Sequence, residues 1–302
     1  MVSVTAPGPF GSDNAWAAME AACKPAGLDT EAARLIRLGE NALFHLPGPG
    51  VVVRIARSMD YWEDARREVA VAGWLASQGF PAVRPYAGVA QPTEGAGRPA
   101  TFWVFIEGRD GDRRDIAILA ELLSRLHRLS PPARFRLPAD NPLGRVRTRL
   151  ETAALSVSDR KFLLARLEAL HVELPELRFP LPEGPVHGDA HGENLMITAD
   201  GPVMIDLERF AWGHPEWDLS MTATEYQTAG WWTADEYARF VSAYGCDVTG
   251  WEGYPVLRAA QELKMTSWLA QNVAESREVA DEVAARIATL RGQVAPGRWR
   301  PF

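Results

Sequence analysis

One stretch constrains this chain more than any other: Val186 to Asp206, reading Val-His-Gly-Asp-Ala-His-Gly-Glu-Asn-Leu-Met-Ile-Thr-Ala-Asp-Gly-Pro-Val-Met-Ile-Asp. A polar loop with Asp189 and Asn194 leads into an apolar run. An Asp200-Gly201 pair and a second apolar run, Pro202 to Ile205, follow, and that run ends on Asp206. Apolar runs on either side of an Asp-Gly pair read as a tight hairpin. Closing it returns Asp206 toward Asn194. A carboxylate and an amide oxygen form a hard, oxygen-only donor set. That set suits magnesium, which keeps several waters and shares its shell with phosphates. Asp189 is then left to accept a proton, although a loop aspartate can also simply cap nearby backbone amides.

At 302 residues the chain exceeds the usual size of one core, so two lobes sharing a cleft are expected. Its 47% hydrophobic and 24% charged residues describe an ordinary folded protein. Met1 to Gly11 lacks the basic and apolar regions of a secretion signal. No run approaches the roughly 18 apolar residues that span a bilayer, so no membrane partner is expected. Cys23 and Cys246 are the two cysteines, too far apart in sequence for a disulfide framework or zinc motif, and a cytoplasmic location follows. Charge is uneven: residues 1–180 carry a net +2 and residues 181–302 a net −9. An acidic second half disfavours nucleic acid and favours a cationic small-molecule substrate. The plain alternative is that these acids solvate helix surfaces. Oligomeric state leaves no sequence signal.

Short strands are expected at Ala33 to Leu38, Ala42 to Leu46 and Val51 to Ile55. A helix follows, capped by Asp60 with Glu63, facing inward through Ala65, Val69, Ala72 and Ala76, and stopped by Gly79 and Pro81. Gln91 to Pro99 reads as a loop and Thr101 to Ile106 as a strand. Asp115 is expected to cap a helix ended by Pro131-Pro132, with further helices over 145–171, 215–228, 233–244, 252–273 and 276–292. Thr233 with Glu236 makes a capping-box pair. The pattern is α+β, with a strand-rich region 1–107, a mainly helical region 108–302, and a hinge over Gly108 to Asp112.

A proton acceptor beside a magnesium clamp is the working equipment of phosphoryl transfer. His187-Gly188-Asp189-x-His191-x-x-Asn194, followed by Ile205-Asp206, also resembles the catalytic-loop and metal motif of the aminoglycoside phosphotransferase and choline kinase group. The Asp-to-Asn spacing matches that of the protein-kinase catalytic loop. The resemblance extends over roughly residues 33–290, most specifically in this loop. It implies a protein-kinase-like bilobal fold, with a small nucleotide-binding N-lobe and a larger catalytic, substrate-binding C-lobe. It further implies ATP and magnesium as cofactors.

By the same resemblance Asp189 is the base, and Asn194 and Asp206 are the metal ligands. His187 and His191 brace the loop, and Asp218 supports it from a helix start. A helix-dipole acid is the plainer reading of Asp218. Arg54 would reach the nucleotide phosphates with Glu68 as its acid partner, unless Glu68 merely pairs with Arg66 or Arg67. Gly39-Glu40-Asn41 would cover the phosphates, and Val104 to Glu107, chiefly Val104 and Ile106, would offer backbone groups to the base. Glu208 is assigned no role. Glu262, Glu275, Glu278 and Asp281 are candidates for substrate ammonium groups. The expected activity is ATP-dependent phosphorylation of a hydroxyl on an aminoglycoside or related antibiotic. A metabolic kinase of amino-sugar, choline or homoserine type is the alternative, and a non-catalytic nucleotide-binding protein is a third reading.

Overall fold

The computed structural model describes residues 10–39 and 41–302. Secondary structure begins with helix α1 (Ser12–Cys23), then strands β1 (Arg34–Leu38), β2 (Asn41–Leu46) and β3 (Val51–Ala56). Next come α2 (Trp62–Ser77), β4 (Thr93–Gly95), β5 (Arg98–Val104) and β6 (Arg109–Asp110). Helices α3 (Ile116–Leu126), α4 (Val146–Thr152) and α5 (Val157–Glu173) precede β7 (Gly184–Val186). The hairpin β8 (Leu195–Thr198) and β9 (Gly201–Met204) leads to β10 (Ala211–Gly213) and α6 (Glu216–Thr224). A π-helical turn (Glu225–Ala229) and helices α7 (Ala234–Tyr244), α8 (Tyr254–Ala270) and α9 (Arg277–Leu290) complete the order. No helix among the described residues is long and apolar enough to cross a membrane.

The chain divides into two compact units: residues up to Asp110 with Leu195–Arg209, and Gly111–Asn194 with Phe210–Phe302. The sequence reading put residues 195–209 in the later region. They lie in the first because β8 pairs antiparallel with β6, and Met204 exchanges backbone bonds with Pro81 and Val83 at 2.9 Å. The boundary at Asp110 and Gly111 falls inside the stretch read as a hinge, and Gly108 at its start is closely packed, since a Cβ there would stand 2.6 Å from the Ile197 carbonyl oxygen.

In the first unit the sheet runs β1-β2-β3-β5-β4. Ala42, Phe44 and Leu46 alternate inward on β2, as Val51, Val53 and Ile55 do on β3. They pack with Ala15, Ala18, Met19, Ala22 and Cys23 of α1. Each large apolar side chain so buried contributes roughly 1.5–3 kcal/mol. The small residues of α1 let it lie directly on β4, where an added Cβ at Gly95 would stand 2.1 Å from the Ala18 carbonyl oxygen. Gly95→Ala is therefore expected to destabilise the protein by about 1–3 kcal/mol, the usual effect of overpacking. Gly73→Ala, mid-α2 and facing open space, should instead gain up to about 1 kcal/mol. Urea denaturation of both variants checks the opposite signs.

Several local expectations change. The N-cap position of α2 is Tyr61 without a side-chain cap, and its buried face is Glu68, Val71, Ala72 and Leu75, while Ala76 is exposed. Glu63 makes an ion pair with Arg66 on the surface instead of closing a capping box. Asp112, not Asp115, caps the entry to α3, and Asp115 supplies the reciprocal capping-box contact. The α3 helix ends at Leu126, before the two prolines. The segment 145–171 is two helices, because Ala153 turns extended and Ser156 caps a new start. Within the stretch taken for a loop, β4 forms a strand. The Thr233 and Glu236 capping box forms as expected. In the second unit α4, α5, α8 and α9 share a core that includes Leu150, Leu163, Leu167, Leu263 and Ile287.

Candidate active site

In the second unit the polar loop hangs on one buried carboxylate. Asp218, at the start of α6, accepts from the His187 amide at 2.7 Å with Oδ2 and from the Gly188 amide at 2.8 Å with Oδ1. Oδ2 also meets His127 Nε2 at 3.0 Å. Burial pushes the Asp218 carboxyl up, but the hydrogen bond and charge of His127 and the bond from the His187 amide outweigh it and hold it below the usual range. His187 is fully buried, and its Nδ1 receives the Asp189 amide at 3.3 Å. These bonds fix both residues before Asp189 and leave its side chain half-exposed at the loop's apex.

Asn194 closes the other side of the loop. Its Nδ2 donates to the Asp189 carbonyl at 2.8 Å and meets His191 Nε2 at 3.1 Å. With the amide nitrogen held inside the loop, Oδ1 is the atom left for an external ligand.

The sequence reading missed the cation next to Asp189. Lys264 of α8 donates to Asp189 Oδ1 at 2.8 Å and to the Gly188 carbonyl at 3.1 Å, and stands 5.4 Å from the Trp217 ring centroid. Burial would raise the Asp189 carboxyl, yet the Lys264 ammonium and His191 hold it far below the ordinary carboxylate value. No local pattern marks Lys264; its partner lies 75 residues away in sequence. Glu225, on the π-helical turn, was also missed. Burial pushes its carboxyl up to about 7, against the Trp232 indole that donates to it at 2.8 Å, and the charges of Asp189 and Glu193 add to the rise. π-helical turns often accompany functional sites.

The first unit holds a second constellation. Arg54 on β3 donates through Nη1 to both Glu68 oxygens at 2.6 and 2.7 Å, and through Nη2 to Glu208 at 2.6 Å. Arg66 and Arg67 pair elsewhere, with Glu63 and Asp64. Asn41, with its amide oxygen turned inward, accepts from Nη2 at 2.7 Å and Nε at 3.1 Å. Arg54 thus pairs with Glu68, as the sequence reading expected, and also with Glu208 and Asn41. Burial works against the charge on Arg54, but Glu68, Glu208 and Asp206 raise its pKa and keep it protonated. Asn41, Arg54, Tyr61, Glu68, Thr101 and Glu208 line one pocket.

Asp206 is exposed and has φ +57°. A non-glycine residue in this left-handed region is uncommon, and such strain concentrates at functional positions. Among the described residues no three His, Cys, Asp or Glu side chains gather as a self-contained metal site. The oriented Asn194 amide oxygen and the Asp206 carboxylate fit the hard oxygen chemistry that magnesium takes.

Other expected residues fall elsewhere. Glu40 lies outside the described residues, so the Gly39 to Asn41 loop is seen only at its ends. The Val104 amide donates to the Arg84 carbonyl at 2.9 Å, leaving Ile106, beyond the strand end, as the candidate backbone donor. Glu262 is partly buried and bonded to Thr228 at 2.6 Å, while Glu278 and Asp281 pair with Arg300 and Arg277 on the surface.

The sequence profile of the phosphotransferase enzyme family matches residues 36–260. Among solved structures, the amicoumacin kinase hAmiN, in complex with AMP-PNP, Ca2+ and Ami, is similar at TM-score 0.68 and 15% identity, over 92% of this chain and 94% of that one. A microcompartment-associated aminopropanol kinase gives TM-score 0.65 at 16% identity, over 90% and 94%. The aminoglycoside phosphotransferase APH(3'')-Id from Streptomyces rimosus gives 0.56 at 20%, over 80% and 97%. These likenesses establish the fold. No curated protein matches the sequence. With the profile spanning most of the chain, the protein belongs to the phosphotransferase enzyme family.

Proposed function

We propose that the protein transfers the γ-phosphoryl group of ATP to a hydroxyl of a small, cationic, sugar-like substrate, with magnesium as the metal. The observation that carries this reading is the state of Asp189: a carboxylate kept ionised by Lys264, at the apex of a loop tied to Asp218. A carboxylate paired with an ammonium is a weak base. It suits a reaction in which the acceptor hydroxyl needs orientation first and loses its proton late, as in a loose phosphoryl-transfer transition state. Asn194 and Asp206 would hold magnesium, which supplies charge neutralisation on the phosphates when bound. Arg54, held by Glu68, Glu208 and Asn41, would be the cation that meets the phosphates. Ile106 would offer its backbone to the adenine edge.

Cationic substrates are favoured by the acidic second half of the chain. An aminoglycoside or a related amine-bearing antibiotic fits that charge. A metabolic amino alcohol or amino sugar is the second reading, and the likeness to an aminopropanol kinase favours it equally. A cytoplasmic setting, where ATP is abundant, belongs to the same proposal.

The test is acceptor-dependent ADP release with ATP and magnesium, measured against aminoglycosides, amino sugars, choline and aminopropanol. Turnover with one class and not the others decides between the readings, and no acceptor-dependent release from any would overturn both. In the same protein, Asp206→Ala should abolish the magnesium-dependent part of the thermal shift produced by ATP. A shift as large as in the parent protein would remove Asp206 from the metal site.

A further inference from the structure

We infer that Lys264 is a positioning residue for Asp189: it ties down Oδ1, so that Oδ2 is the oxygen presented to the acceptor hydroxyl. This rests on the phosphotransfer reading of the same loop and goes beyond it by assigning separate tasks to the two carboxylate oxygens.

The geometry is specific. Lys264 reaches Oδ1 at 2.8 Å and the Gly188 carbonyl at 3.1 Å, so two of the three ammonium donors grip the loop on both sides of one peptide unit. A two-point grip fixes the side-chain torsion of Asp189 as well as its charge. The ammonium is largely enclosed, with 12% of the side chain exposed, and lies beside the Trp217 indole ring. Trp217 is itself anchored to the loop, its indole donating to the Gly188 carbonyl at 3.3 Å. Lys264 therefore cannot swing aside without giving up its bonds to the carboxylate and to the carbonyl that it shares with Trp217.

Oδ2 is treated differently. His191 Nε2 stands 3.8 Å from it, beyond hydrogen-bond distance. That nitrogen lies 3.1 Å from the Asn194 amide nitrogen. His191 thus walls one side of Oδ2 without donating to it. One oxygen of Asp189 is tied to Lys264 at 2.8 Å, and the other stands 3.8 Å from His191 Nε2.

In the transfer step the acceptor oxygen forms its bond to the γ-phosphorus. The bond from that phosphorus to the β,γ-bridging oxygen breaks, and its electron pair leaves on ADP. The hydroxyl proton passes to Oδ2 and then to water. A carboxylate fixed at Oδ1 presents Oδ2 in one orientation, and small misplacement of a reacting partner is enough to cost large factors in rate.

The test is a double-mutant cycle, with kcat, the KM for ATP and thermal stability measured for Lys264→Met, Lys264→Arg, Asp189→Ala and the Lys264→Met/Asp189→Ala pair. Lys264→Met should lower kcat by about 10–100-fold, a part of the range for a positioned proton acceptor, with the KM for ATP changed less than about threefold. Lys264→Arg should recover part of the loss, because the cation is retained. In the Asp189→Ala background Lys264→Met should change kcat by less than about twofold, since the residue acts through Asp189. Equal losses in both backgrounds, or a normal kcat in Lys264→Met, overturn the inference. If Asp189→Ala itself keeps full turnover, the phosphotransfer reading of the loop fails instead. Should Lys264→Met prove unstable, the arginine variant decides: a folded protein no more active than Asp189→Ala counts against the assignment.

Discussion

Asp189→Ala is expected to lower turnover by about 10²–10⁴-fold, the usual contribution of a positioned proton acceptor, while ATP binding changes little. The loop around it should survive, because its anchors are other groups. Asp218 holds the His187 and Gly188 amides, and Asn194 binds the residue 189 carbonyl, which alanine retains. The constellation of Arg54, Glu68, Glu208 and Asn41 in the first unit makes no use of the Asp189 carboxylate. Lys264 loses its carboxylate partner but keeps the Gly188 carbonyl. Steady-state kinetics beside ATP titration calorimetry check the two halves of the expectation. A rate within about twofold of the parent protein would remove Asp189 from the chemistry.

The second large effect is on stability. Asp218→Ala should destabilise the protein by about 3–5 kcal/mol, the range for removing one partner of a buried, hydrogen-bonded charge. It leaves the His187 and Gly188 amides and His127 Nε2 facing a void. Against a total stability of about 5–15 kcal/mol, this is a large fraction, and activity should fall with it. Asp218→Asn keeps the shape but turns one acceptor oxygen into a donor, so at least one loop amide loses its partner. It should fold and turn over slowly. The folded carboxyl lies below its unfolded value, so its contribution is complete at neutral pH and disappears as pH falls through the folded value. Urea midpoints at pH 7 and at pH values below about 3.9, the unfolded carboxylate value, should therefore show Asp218→Asn closing its gap to the parent protein only in strong acid. An Asp218→Ala protein as stable as the parent would contradict the anchoring role.

What the sequence made legible was local. The β8-β9 hairpin could be read because Asp200-Gly201 needs a turn, and Gly201 indeed has φ +120°. The Thr233 and Glu236 box was legible from spacing alone. Helix α1 was not assigned, although Ala15, Ala18, Met19 and Ala22 recur at helical spacing. Its small side chains give a weak apolar signal, and their value lies in close approach to β4. Around α2 and α3 the caps were misplaced because each stretch offers several acids, and only tertiary packing selects among them. The face of α2 shifted for a related reason: burial of Glu68 is driven by Arg54 on a strand, which no helical periodicity contains. The candidate site follows the same division. Asp189, Asn194 and Asp206 sit in one short motif, whereas Lys264, Glu208 and Glu225 gained their roles from partners distant in sequence or from the low polarity around them.

The backbone of Asp206 carries an evolutionary consequence. Glycine would adopt φ +57° without the side-chain crowding that aspartate meets there. A gene copy released from the need for turnover would thus drift toward glycine at this position with its scaffold intact or improved. Retention of the acid in a lineage would accordingly point to selection for something other than backbone stability.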